Sequence, residues 1–270
     1  MSRRKSPPRA QPASAPSSPL KLLPPLRPAA SPVHPFDQLR GTDTGGLIPA
    51  RELVTGHPSD RHVTAYYGIA PSILRSLIDL WQHTTSPPFP LDRYTFLDIG
   101  AGKGRAMLVA AEAPFREVLG IELNPTLAGI AEQNIVRTQS RSSLAVEVPE
   151  LLSRVSILRG DALALPLPQT PTLLHLFHPF EAPILRKLLG HIETAFFTRP
   201  GQLDLLYVNA EHAAVLSRNP AFRLLWSGSV PMSTEDHIAD IEAIATQLEY
   251  GSTGDEQCAI YRYTGRLAPP

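Results

Sequence analysis

The sequence predicts an α/β fold in which a mostly parallel sheet is covered by helices on both faces. Three observations predict it. Five short apolar runs alternate with amphipathic stretches between residues 71 and 209, the pattern of repeated βαβ units. The first of these runs passes directly into a glycine loop, "DIGAGKG", which opens a helix. The chain has 270 residues, 43% hydrophobic and 19% charged, enough for one large domain with a full core.

A helix begins at Pro71, where the missing N–H costs nothing in the first turn. Ile73, Leu74, Leu77, Ile78 and Trp81 then share one face. "SPPFPLD" breaks this helix, and Tyr94 to Ile99 reads as a buried strand. A second helix follows the glycine loop through Ala111. Glu117 to Leu123 is the next strand, after which Asn124 and Pro125 supply the cap and first position of a helix carrying Leu127, Ile130 and Ile135. Arg154 to Gly160, Thr172 to Phe177 and Leu203 to Asn209 are further strands, with a helix from about Pro183 to Phe197 before the last. "FRLLWSG" and "EQCAIYRYTG" are two more strands. Between them lies a helix capped by Ser233, with Ile238, Ile241, Ala245 and Leu248 at helical spacing.

The loop glycines stand at 100, 102 and 104, whereas a dinucleotide-binding loop places its third glycine one position later, at Arg105 here. This spacing argues against NAD. Glycines let backbone approach a ligand closely, and the helix that follows offers its positive end to an anion. Asp98 would repel a pyrophosphate but suits a ligand that also carries positive charge. S-adenosylmethionine has that profile, with a carboxylate for the helix and an ammonium and sulfonium for the acid. Gly100, Ala101, Gly102 and Gly104 are the expected loop contacts. Glu122, ending the second strand, is placed to accept both ribose hydroxyls. Asp161 is placed to accept from the adenine amino group, with Ala162 offering an N–H beside it.

These residues resemble those of class I S-adenosylmethionine-dependent methyltransferases. "GTDTGGLIPARELVTGHPSDRHVTAYYGIAPSILRSLI", "GKGRAMLVAAEAPFREVLGIELNP" and "LFHPF" further resemble a bacterial branch related to Dot1-type histone-methylation proteins. The resemblance implies a seven-stranded, doubly wound Rossmann-like sheet with an antiparallel last hairpin, and a tyrosine, Tyr66, covering the cofactor. That branch tends to carry asparagine where this chain has His178. An imidazole there offers an acceptor nitrogen and can take a proton near neutral pH. His178 and Tyr66 are therefore the candidate catalytic residues on the acceptor side. Phe177, Phe180 and Tyr66 can form the apolar slot in which an amine loses its proton. His175 alternates to the other face of its strand and reads as packed or rim-exposed. "HLFH" lacks a third ligand at a recognised spacing for a metal.

The first 36 residues hold six basic residues and no acid, with ten of the 29 prolines, which predicts a disordered basic tail over 1–35. The methyltransferase domain then spans 36–270, as a lead-in with one helix (36–93) and the cofactor-binding sheet (94–270). Nucleic acid is a possible partner of the tail only, since no aromatic-interleaved basic patch is present. No apolar run reaches the length of a membrane span. A lone Cys258 fits a reducing, cytoplasmic setting and reads as a buried structural thiol. The expected reaction is methyl transfer to an amine, with a protein lysine as one acceptor. Its rivals are a small-molecule O- or N-methyltransferase and a non-catalytic binding module that uses the tail.

Overall fold

The structure is a computed structural model that describes residues 33–142, 154–245 and 251–266. Tail residues 1–32 and Leu248 lie outside the described residues. Seven strands form one sheet: β3 (Thr95–Ile99), β4 (Glu117–Glu122), β5 (Val155–Arg159), β6 (Thr172–Phe177), β7 (Leu203–Val208), β8 (Phe222–Pro231) and β9 (Asp255–Tyr263). Their order is β5-β4-β3-β6-β7-β9-β8. The first five pair in parallel, while β9 runs antiparallel to both β7 and β8. The two-stranded β1 (Leu47–Ile48) and β2 (Tyr66–Tyr67) stand apart from this sheet. The expected seven-stranded, mostly parallel architecture with an antiparallel last hairpin is present.

The inner parallel strands are predominantly apolar because helices cover both faces, while the edge strand β5 is partly exposed. On one side, α2 (Pro71–Thr84) and α3 (Arg105–Ala110) bury Ile73, Leu74, Leu77, Met107 and Leu108 against Phe96, Leu173 and Leu206. On the other, α5 (Ala182–Ala195) packs Leu185, Leu188 and Ile192 against Leu97, Leu174 and Leu205. The helix α4 (Pro125–Ser142) is capped as expected, Asn124 Oδ1 accepting from the N–H groups of Thr126 and Leu127 at 2.9 and 3.2 Å. A short α6 (Ala213–Ser217) follows β7.

The helix α1 (Pro35–Arg40) begins at Pro35, and the buried His34 accepts from Phe36 N–H through Nδ1. In α7 (Thr234–Ile244), Ser233 caps the helix as expected, Ile238 and Ile241 are exposed, and Asp236, Ala239 and Asp240 are buried. Specific polar bonds decide the face. Asp236 accepts from Ser72 N–H at 2.7 Å in the first turn of α2, where a carboxylate meets the positive helix end, and Asp240 accepts from the Tyr67 hydroxyl.

Candidate functional site

The main cavity lies at the carboxyl ends of β3, β4, β5 and β6, where open α/β sheets bind ligands. The space inside it, open solvent at the mouth included, is about 940 Å³. Gly100, Gly102, Glu122, Asp161, Ala162 and the ring of Tyr66 line it, so six of the ten expected site residues converge there.

Glu122 forms one wall. It is buried, with Oε2 accepting from Gly102 N–H and Oε1 from Asn124 N–H, both at 2.7 Å. Each carboxylate oxygen has a second lone pair, so two hydroxyl donors can still be accepted. Burial pushes its carboxyl above the ordinary range, and the two N–H groups pull the other way. Asp161 combines two roles. Its Oδ1 accepts from Leu163 N–H at 2.9 Å in an Asx turn, and its Oδ2 stands 3.7 Å from His57 Nε2 at the cavity mouth.

The glycine loop serves close packing more than anion binding. Gly100 and Ala101 donate to the Ile121 carbonyl at 2.9 and 3.1 Å, and Gly104 donates to Ala101 at 2.8 Å. With Gly102 held by Glu122, these amides turn back onto the protein, and the expected cradle for a ligand carboxylate is not formed by them. Gly102 has φ +54°, and a Cβ there would sit 2.3 Å from the Tyr66 ring. Only glycine lets the roof come down on this floor.

Three expected contacts lie behind the wall. Asp98 faces the α2–α3 side because strand alternation turns it away from Ile99, and its Oδ1 bonds His175 Nδ1 at 2.7 Å. Ala101 is buried in the core cluster on that side, and Gly104 caps α3 beside Ala131. His175, expected to be packed or rim-exposed, is packed, and its bond to Asp98 was not foreseen. The two are register partners on adjacent parallel strands, which becomes visible once the pairing is known. Among the described residues His175 Nε2 is buried without a hydrogen-bond partner.

The roof comes from residues 34–69 and is held by two basic residues of the loop. Lys103 Nζ donates to Asp43 Oδ1 and the Gly45 carbonyl at 3.0 and 2.9 Å. Arg105 is buried, donating to Thr44 Oγ1 at 2.7 Å and the Gly68 carbonyl at 3.1 Å, with Asp37 3.5 Å away. Arg105 therefore occupies the dinucleotide-loop glycine position with a clamp. Tyr66 belongs to this roof. Its hydroxyl donates to the Thr44 carbonyl at 2.7 Å and burial pushes its pKa up, so the hydroxyl is engaged within the roof while the ring lines the cavity. This placement suits the expected covering role better than a catalytic one.

His178 lines a second cavity with Asn209, Glu211, Asp240, Asp255 and Glu256. Thr64, Ala65, Tyr67 and Phe177 line both cavities and so form the partition between them. Thr64 Oγ1 donates to the His178 carbonyl at 2.6 Å, and Val63 bridges Phe180, fixing the partition to the end of β6. His178 is held at φ +43°, with Nε2 3.5 Å from Glu211 and Nδ1 3.4 Å from the Tyr207 hydroxyl. Burial lowers its pKa from the ordinary histidine range, and the nearby Glu211 carboxylate opposes that shift. Phe177 and Phe180 both reach the main cavity, completing the expected apolar slot with Tyr66.

The strand order decides the architecture. It is a doubly wound, Rossmann-like sheet with an antiparallel last hairpin. The chain matches no protein-family model and no curated protein. Among solved structures it is similar to an RNA methyltransferase from Salinibacter ruber in complex with S-adenosyl-L-homocysteine, at 16% identity over 73% of this chain and 93% of that one, with a TM-score of 0.38. It is also similar to a ribosomal protein L11 methylase from Lactobacillus delbrueckii subsp. bulgaricus (13% identity, 71% and 77% coverage, TM-score 0.41). A third is a protein of the NADB-Rossmann superfamily from Streptococcus agalactiae (8%, 73% and 70%, 0.45). These similarities single out no branch within the fold. Among the described residues no helix is long and apolar enough to cross a membrane. Cys258 is buried on β9, and burial pushes its thiol up to about 12, which suits a structural residue.

Charge in the second cavity has a measurable consequence. Burial first, and then Asp240, Asp255 and Glu211, push the Glu256 carboxyl up to about 7. A folded-state value above the unfolded one means that the folded chain holds the extra proton. That contribution to stability is present below the ordinary glutamate range and is lost as pH rises through about 7. Glu256→Gln is expected to raise Tm at about pH 8 and leave it nearly unchanged at about pH 5. A Tm difference of the same size at both pH values would contradict this.

Proposed function

We propose that the chain is an S-adenosylmethionine-dependent methyltransferase that acts on an amine, with a protein lysine among the acceptors implied by its Dot1-type resemblance. The observation that carries the reading is Glu122, a buried carboxylate with lone pairs to spare on the wall of the cavity at the carboxyl ends of the strands. The second carboxylate, Asp161, stands at the end of the next strand. When bound, the cofactor supplies an electrophilic methyl on a sulfonium.

Glu122 would take the ribose hydroxyls and Asp161 the adenine edge. The Tyr66 ring and the Val63–Ala65 segment exclude water from above. An amine acceptor would have to present a free lone pair and would shed one proton on gaining the methyl. His178, 3.5 Å from Glu211, would be placed to accept that proton beside the partition. Positioning and desolvation supply most of the remaining rate.

Incubating the purified chain with cell lysate and methyl-labelled cofactor tests the reading. Label should appear in amine-bearing protein or small molecules, and the absence of transfer to any fraction, with the cofactor intact, would overturn it.

A further inference from the structure

Residues 50–61 form an excursion between two fixed ends, and Leu53, Thr55, Ser59 and Asp60 of it line the main cavity. Before it, β1 pairs with β2, and Asn134, Lys103 and Arg105 hold Asp43 and Thr44. After it, the His62 carbonyl accepts from Glu181 N–H at 2.9 Å, and His62 Nδ1 bonds Glu181 Oε2 at 2.8 Å. The stretch between is tied up within itself. Asp60 Oδ2 accepts from the N–H groups of Thr55, Gly56 and His57 at 2.7, 2.7 and 3.0 Å, and its Oδ1 accepts from Thr55 Oγ1 at 3.0 Å. A segment that satisfies its own polar groups can shift as one body without stranding them.

Its attachment to the rest of the fold is thin. Among the described residues, two polar contacts link residues 50–61 to the chain beyond their ends: the Leu53 carbonyl accepts from Asn124 Nδ2 at 3.2 Å, and His57 Nε2 stands 3.7 Å from Asp161 Oδ2. Leu53 is the one buried residue of the stretch, and it packs in a small cluster with Tyr66 and Leu127 that is separate from the two large cores. Segments with so few buried contacts open locally at small cost. Both polar contacts end on the wall that would hold the ligand, since Asp161 is one of its carboxylates and Glu122 holds the Asn124 N–H through Oε1 at 2.7 Å.

We infer that residues 50–61 are a lid on the main cavity, which swings open about its two held ends to admit the ligand and is latched shut by His57 on Asp161 and by Asn124 on Leu53. The inference rests on the methyltransferase reading for the identity of the ligand that closes the lid, whereas the motion itself can be measured with no ligand present. Because the lid and both carboxylates line one cavity, a ligand seated there gains the lid contacts only in the closed state and shifts the population toward it. Closure then keeps water from the site, and reopening sets the rate at which the ligand leaves. His57 is a positioning residue in this scheme, acting on the ligand through Asp161 and the lid.

Double electron–electron resonance on the full chain tests this, with spin labels on Val54→Cys in the lid and Val136→Cys on α4, both exposed positions, and the buried Cys258 left in place. Without ligand two distance populations are expected, and saturating S-adenosylhomocysteine is expected to leave the closed one alone. His57→Ala in the labelled chain should enlarge the open population, and in the unlabelled chain it should speed S-adenosylhomocysteine dissociation by about tenfold with little change in the association rate. A merely structural role for His57 would lower Tm without moving either readout. One narrow distance in the free chain that stays the same with the ligand bound, or a His57→Ala chain with wild-type distances and dissociation rate, would overturn the lid. Two populations in a free chain that calorimetry shows not to bind S-adenosylhomocysteine would instead defeat the methyltransferase reading and leave the lid standing.

Discussion

Glu122→Ala is expected to weaken S-adenosylhomocysteine binding by about 3 to 6 kcal/mol, from two charge-assisted hydrogen bonds of about 1.5 to 3 kcal/mol each in a desolvated setting. That is a loss of roughly a hundred- to ten-thousandfold in affinity. The fold should survive, because two effects oppose each other. Removal of the carboxylate orphans the N–H groups of Gly102 and Asn124, which costs stability. It also removes a buried charge whose raised pKa shows that burial already works against it. Those amides border the cavity, where water can replace the lost acceptor. In the wild type, the same raised pKa places the acid limit of cofactor affinity above the ordinary glutamate range. Hydroxyl donors favour the ionised form, so affinity is full above the folded-state pKa and declines below it. A folded Glu122→Ala chain with an unchanged Kd would show that the ribose is held elsewhere.

His178→Ala is expected to lower turnover by about a hundred- to ten-thousandfold, the usual worth of a positioned general base, while sparing cofactor affinity. Part of any effect is conformational. At φ +43° an alanine pays the left-handed backbone penalty of about 1 to 2 kcal/mol, whereas asparagine adopts that region readily. His178→Asn is therefore the cleaner test, because it keeps the backbone and a carbonyl acceptor and removes the titratable group. Loss of activity with a flattened low-pH limb would identify a base. Substantial activity in the asparagine variant would reduce the imidazole to an orienting group. Full activity in both variants would leave His178 as a strand-end residue shaped by its backbone.

The sheet was largely legible because each parallel strand is a mostly apolar run bounded by polar or turn-forming residues. The runs at 95–99, 117–122 and 172–177 are found within a residue of the expected bounds. Glu122 and Asp161 were legible for the same reason, since a carboxylate at a strand end falls on the ligand edge of such a sheet. What the sequence left hidden depends on long-range pairing. Asp98 bonds His175 across 77 positions, and Lys103 and Arg105 reach back 58 to 61 residues to the roof. The division into two cavities follows from Thr64 meeting His178 across 114 positions, which no local pattern announces. In α7 the isoleucines at helical spacing face outward, because a helix cap and a tyrosine bond set the buried face.

The central claim is that the cavity bounded by Glu122, Asp161 and the Tyr66 ring holds S-adenosylmethionine, not a dinucleotide. Calorimetric titration of the full chain with S-adenosylhomocysteine and, separately, with NAD measures this most directly. Saturable binding of the sulfur ligand, with little or none of NAD, is the expected result. Tighter binding of NAD, or no binding of S-adenosylhomocysteine by the folded chain, would contradict the account.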